Sequence, residues 1–385
     1  MRGEQTSPTG QADQPDATGA PRTAAPATRA QAAVAGTAAV ALTLLWRLLS
    51  PLAGQPLCCD AGNYLRMAAD PSAPVIRPHS SRVLVPWLTH LLGGAPATYH
   101  AISLAGLAGA LLVTYLLARR LGAGHGWALL AMICLGCSRG WVFYLYDPYL
   151  SDPAAFLLLA GTFLALVRAR PTWLVAPLLV LTAGARELFA GMALPVYGWL
   201  RRRRWDPRAA LVTAALVAPA LAGYAMVLVL APSLPPVDYA RPVGRVLGGI
   251  LAKRMEQDGV LWFASAFAMS LGVWWLLPVL ANCLIGWDWS RYATYAFPVV
   301  MPAAAIVLAR ASRRGVLIAA VAVQALLPLV DLAGGHLLLN QPGPSLPLSV
   351  LLMIVVGVVL LTSRNRPGRP AQATRESGPD PRPAP

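Results

Sequence analysis

Apolar runs of about twenty residues recur along the whole chain, separated by short loops that carry arginine. A run of that length can cross a bilayer as a helix. Helices and closed barrels are the structures that satisfy their own backbone polar groups there. Only 12% of the residues are charged, and mean hydropathy is +0.56. A soluble domain has about a quarter of its residues charged. The expected fold is an all-α polytopic membrane protein with roughly 10–12 crossings, short helices in its outer loops and no large soluble domain.

Arginine placement sets the expected orientation. Arg119-Arg120, Arg168 with Arg170, Arg201 to Arg204, Arg310 with Arg313-Arg314, and Arg364 with Arg366 fall between apolar runs. Such clusters mark cytoplasmic loops. Arg22 and Arg29 precede the first span and hold the amino terminus in the cytoplasm. This predicts a multi-pass protein of a bacterial inner (plasma) membrane. The net charge of +15 is spread over these loops. It forms no folded basic domain, so nucleic acid is not an expected partner. The single lysine, Lys253, amid abundant Ala, Pro and Arg points to a GC-rich genome rather than to a functional choice of arginine.

Residues 1–30 read as a disordered cytoplasmic tail, 31–363 as the transmembrane domain and 364–385 as a second tail. No cleavable signal peptide is expected. Spans are predicted over about 31–53, 97–118, 126–145, 154–168, 209–231, 293–309, 316–332 and 347–362. The piece 83–92 reads as an interfacial or broken helix. Residues 172–184 and 188–200 read as a hairpin with Arg186 and Glu187 at its tip. Outer loops are expected at 54–82 and 232–258. Segment 259–285 fits either a tight hairpin near Gly272 or a single span with another loop reassigned. Cys134 and Cys137 fall in an apolar run and read as packing residues rather than as a metal or redox pair.

Against this background sixteen acidic residues are few, and Glu4, Asp13, Asp16, Glu376 and Asp380 lie in the tails. Asp60, Asp147, Asp152, Glu187 and Asp288 each flank an apolar segment on the same expected face. An ionisable group at membrane depth costs at least about 2.5–3.5 kcal/mol, which makes it a candidate for function. Asp60 could be a general base in a partly dry cleft, or a solvated loop aspartate. Asp147 and Asp152, five apart across two prolines, could hold a divalent cation such as magnesium or manganese, or bind sugar hydroxyls. Asp152-Pro153 also reads as a helix start with Asp152 as the cap. Arg82, with His79 before it, could bind a lipid phosphate through its planar fork, or anchor the interface beside Trp87. Arg186-Glu187 could be a self-neutralising pair, or a phosphate ligand beside a sugar ligand. Asp288 and Arg291 share a helix face, as a site or as a salt bridge.

In order along the chain these motifs are Asp60-x-x-x-Tyr64, Arg82-Val-Leu-Val-Pro-Trp-Leu88, Asp147-x-x-x-x-Asp152, Arg186-Glu187 and Asp288-x-x-Arg291. The set resembles the GT-C superfamily of integral-membrane glycosyltransferases over about residues 31–310. The resemblance implies a polyprenyl-phosphate sugar donor and a lipid, glycan or protein acceptor. It also implies inverting transfer at the outer face, with Asp60 as base. Asp147, Asp152, Glu187, Asp288 and Tyr64 would then bind substrate, and Arg82, Arg186, Arg291 and His79 the lipid phosphate. Cys59-Asp60 stands where some members carry two adjacent acids, which leaves metal dependence open. The alternatives are a transporter or flippase for a lipid-linked or small polar substrate, and a noncatalytic scaffold.

Overall fold

The computed structural model describes residues 27–49, 60–76, 79–168, 172–186, 189, 192–200, 206–234, 294–295, 297–310 and isolated positions between 315 and 358. These residues are mostly helical. Among the described residues three helices are long and apolar enough to cross a membrane: α1 (Arg29–Leu49), α4 (Pro96–Arg120) and α10 (Pro207–Leu230). At 1.5 Å per residue the 25 residues of α4 extend about 37 Å, more than the roughly 30 Å of a hydrocarbon core. The predicted spans 31–53, 97–118 and 209–231 correspond to these three helices.

Local chemistry accounts for their ends. Pro96 opens α4, where its missing N–H costs nothing. Asp206 caps α10 by accepting from Arg208 and Ala209 N–H at 3.0 and 3.3 Å, with Pro207 next. At the far end of α4 the Tyr115 hydroxyl lies 2.8 Å from His125 Nδ1, and Arg119 donates to the Ala123 carbonyl at 2.8 Å. Those bonds close the turn into α5 (His125–Gly136).

One expectation is corrected here, and the expected short helices of the first outer loop are present. The span predicted over 126–145 is broken into α5 and α6 (Arg139–Tyr146). Ser138 supplies the restart by accepting from Trp141 N–H, a local capping bond the apolar pattern does not reveal. The stretch 60–82 is structured, with α2 (Ala61–Ala69), strand β1 (Val75–Ile76) and a 3-10 turn at His79–Ser81. The piece 83–92 is a short helix, α3 (Leu84–Leu91), ended by Gly93 and Gly94 at φ 102° and 70°.

Helix α7 (Asp152–Val167) runs beside α4 in the same direction. The contact is close: a Cβ on Gly106 would meet the Pro153 carbonyl carbon and oxygen at 2.8 Å. Helices α8 (Val175–Ala185) and α9 (Ala193–Leu200) flank the predicted break. Phe189 packs on Tyr224 late in α10, and the Tyr197 hydroxyl accepts from Asp206 N–H before α10 begins. The chain after the break therefore runs antiparallel to α10, as a hairpin requires. Helix α11 (Phe297–Arg310) packs on α4 and α5 and matches the predicted span 293–309.

Strand β2 (Ser233–Leu234) pairs in parallel with β1, Val75 opposite Ser233. The end of the first expected outer loop and the start of the second thus lie together at one end of the bundle. Val227 of α10 packs on Met67, Val75 and Val83 just beneath that pairing. Arg120, Arg168, Arg208 and Arg310 fall at the helix ends remote from it. The uncertain segment 259–285 and the predicted spans 316–332 and 347–362 lie wholly or mostly outside the described residues.

Candidate functional site

The site is built where α2, α4, α6, α7 and α8 meet at the β1–β2 end. Its first layer comes from α2 and the turn before α3. Ala61, Tyr64, Met67 and Ala68 form the buried face of α2, so Tyr64 points inward. Its hydroxyl accepts from Arg82 Nη1 at 2.9 Å and lies 3.3 Å from His79 Nδ1. The other imidazole nitrogen, Nε2, is 3.5 Å from Asp60 Oδ1. Donor counting gives one consistent proton arrangement. Tyr64 donates to Nδ1 of a neutral His79, whose Nε2–H faces Asp60. Asp60 stands at the start of α2 without a capping bond, so helix capping does not explain it.

Burial pushes the Tyr64 phenol above its ordinary value of 10, opposed by the charges of Arg82 and Arg186 and reinforced by Asp60 and Asp152. All four charges are thus within electrostatic reach of one hydroxyl.

The second layer lies deeper. Asp152 is fully buried in the first turn of α7, and Arg186 is 1% exposed. Arg186 Nη1 donates to Asp152 Oδ2 at 3.0 Å. Oδ1 accepts from the Tyr295 hydroxyl at 2.7 Å and from Tyr144 at 3.3 Å. The Arg186 guanidinium also sits 5.9 Å above the Tyr295 ring. The backbone at Arg186 is extended after the last turn of α8, which lets the side chain reach across to α7. Phe156 orients both tyrosines: its ring centroid is 5.0 Å from Tyr144 and 4.6 Å from Tyr295.

This geometry bears on three readings. Asp152 is not the cap; Ser151 holds that position, and the Asp152 carboxylate turns to Arg186 and the tyrosines instead. Arg186 pairs with Asp152, while Glu187, its other candidate partner, lies outside the described residues. Both Asp152 oxygens already accept from protein donors, so a cation between Asp147 and Asp152 would compete with Arg186 for that carboxylate. Among the described residues no three His, Cys, Asp or Glu side chains gather as a metal group.

Asp147 is buried at the C-terminal end of α6, where a carboxylate gains nothing from the helix dipole. Tyr99 is within electrostatic reach of Asp147, Asp152, Tyr64 and Arg82, and so ties the two layers together. Asp60, Tyr64, His79, Arg82, Asp147, Asp152 and Arg186 therefore gather at one end of the bundle. Glu187, Asp288 and Arg291 lie outside the described residues. Sequence reasoning missed Tyr99, Tyr144 and Tyr295. The available signal was a hydroxyl-bearing ring at the edge of an apolar run close to one of the flagged charges.

No known protein family, curated protein or solved structure matches this chain. The fold and site define a class: a helical protein with candidate membrane spans and a charged, tyrosine-lined cluster at one end of its bundle.

Proposed function

We propose that the cluster is the active site of a membrane glycosyltransferase of GT-C type. It moves a sugar from a polyprenyl-phosphate donor to a lipid, glycan or protein acceptor at the extracytoplasmic face. The observation that carries this reading is two buried arginines, Arg82 and Arg186, gathered with Asp60 at one end of an apolar bundle. Asp60 takes the proton of the acceptor hydroxyl, and that oxygen attacks the anomeric carbon. The bond from that carbon to the phosphate oxygen breaks on the opposite side, so configuration inverts. The lipid phosphate leaves with the electron pair, and Arg82 and Arg186 stabilise its charge in a low-dielectric site. Arg291 is a third candidate for that role, Glu187 and Asp288 further sugar ligands. No metal step is invoked. The basic helix ends face the cytoplasm in this reading, as they do in a bacterial plasma membrane.

The test is transfer from radiolabelled polyprenyl-phosphate sugars by the purified protein, with cell-envelope lipids as acceptors. Asp60→Asn should slow transfer by about 10²-fold or more. Transfer at the parent rate by Asp60→Asn removes Asp60 as the base. A second reading, transport or flipping of a lipid-linked or small polar substrate, draws support from the helix breaks at Ser138 and Arg186. It predicts movement across proteoliposomes with no covalent change of substrate.

A further inference from the structure

We propose that Arg47, anchored by His100, binds the phosphate of an anionic lipid at the bilayer-facing rim of this site. The inference rests on the apolar helices lying in a bilayer, and on neither transfer nor transport chemistry.

Arg47 lies in the last turn of α1. Thr43 and Trp46 on that helix are buried, whereas Leu44, Leu45, Leu48 and Leu49 are exposed, Leu48 to 84%. The apolar exposed face is the one a bilayer would cover. Arg47 is half-buried beside it. Its Nε donates to His100 Nε2 on α4 at 3.0 Å. That bond uses one of five guanidinium N–H donors and fixes His100 as the acceptor. Both Nη groups remain, in the planar fork that matches phosphate oxygens. Among the described residues no carboxylate pairs with Arg47. Simple snorkelling would carry the guanidinium out to water. Here it is turned back against α4.

The rim is also connected to the interior. The ring of His100 is 6.3 Å from Tyr149, Tyr149 is 6.0 Å from Tyr99, and Tyr99 is 6.5 Å from Tyr64. Tyr64 carries the bond to Arg82. The Tyr99 hydroxyl is fully buried and makes no hydrogen bond, so a polar donor stands unused along this line. A buried hydroxyl without a partner is unfavourable, so an oxygen acceptor brought to this line would be held there. A lipid-borne phosphate is the ligand chemistry that combines an apolar face, an open arginine fork and this unsatisfied donor.

Native mass spectrometry of the full chain in detergent, titrated with phosphatidylglycerol, undecaprenyl phosphate and phosphatidylcholine, tests this. The parent should retain the two net-anionic lipids at least about tenfold more tightly than phosphatidylcholine, as for one charge-assisted contact. The tighter of the two identifies the source. Arg47→Gln should remove the preference, Arg47→Lys should keep part of it, and His100→Phe should weaken it. Equal loss of all three lipids in Arg47→Gln would mean apolar contact alone and overturn the proposal. So would an intact preference in that variant, or full displacement of lipid by equimolar inorganic phosphate. If Arg47→Gln does not fold, Arg47→Lys and His100→Phe decide by the same criteria. No outcome depends on sugar transfer, so failure here leaves Asp60 as base untouched.

Discussion

Replacing Asp152 by Asn tests whether the deep layer is a charge pair that holds the site together. The Arg186 nitrogen and the Asp152 oxygen are 3.0 Å apart, with both side chains inaccessible to solvent. At an effective dielectric of about 20, unit charges at that distance attract by about 5.5 kcal/mol. Desolvation of both ions offsets much of this, so the net worth of the intact pair is small. Removing one partner is a different matter, because the other charge stays buried. Asp152→Asn should therefore cost about 3–5 kcal/mol, and Arg186→Gln a similar amount. The double variant should cost less than the sum of the singles by about 2 kcal/mol or more, because no uncompensated charge remains. Tyr295→Phe loses a 2.7 Å bond to an ionised acceptor and should cost about 1.5–3 kcal/mol. Tyr144→Phe, at 3.3 Å, should cost less. Denaturant titration in detergent micelles, followed by tryptophan fluorescence, gives this ranking. Additive singles, or an Asp152→Asn variant within about 0.5 kcal/mol of the parent, would refute the reasoning.

Two further outcomes follow from the geometry. With the five native cysteines replaced, Val75→Cys and Ser233→Cys should cross-link under mild oxidation, because the two positions are opposed in the β1–β2 pair; absence of the cross-link on non-reducing gels would separate the two loops. The Tyr64 phenol sits above its ordinary value of 10. Its contribution to stability is therefore present below about pH 10 and is lost as pH rises from there through the folded value, since the unfolded chain releases its proton first. Alkaline melting curves should be flatter for Tyr64→Phe than for the parent.

The positions of α1, α4 and α10, the helices long and apolar enough to cross a membrane, were legible because hydropathy acts over whole helices. The hairpin tip at Arg186 was legible too, since a charge between two short apolar stretches has few other uses. The break at Ser138 was not. It depends on one side-chain bond to Trp141 N–H inside a run whose composition is uniformly apolar. The partners of Asp152 were hidden for another reason. Arg186 is 34 residues away and Tyr295 is 143 away, so nothing in the local pattern around Asp152-Pro153 distinguishes a helix cap from a buried ion pair. The short-range capping rule favoured the first, and tertiary pairing prevailed.

Which of the described acids can take a proton from a substrate follows from what each already holds. Asp152 accepts from an arginine and two tyrosines, and no solvent reaches it. To act as a base it would have to abandon the pair that neutralises Arg186, at the cost worked out above. Asp147 is buried at the end of α6. Asp60 differs from both: its side chain is 24% exposed, and it faces the His79 Nε2 nitrogen at 3.5 Å. That contact also suits the chemistry proposed for it. His79 can keep its Nε2–H toward Asp60 while Nδ1 accepts from Tyr64, whose oxygen in turn accepts from Arg82. The donor end of this chain is thus turned toward the aspartate, which fixes its orientation. In the proposed reaction the shallow aspartate is then the base, and buried Asp152 holds Arg186 in place for the leaving phosphate. Exchanging Asp60 for Asn should accordingly impair transfer while sparing the denaturation midpoint, and exchanging Asp152 should impair both.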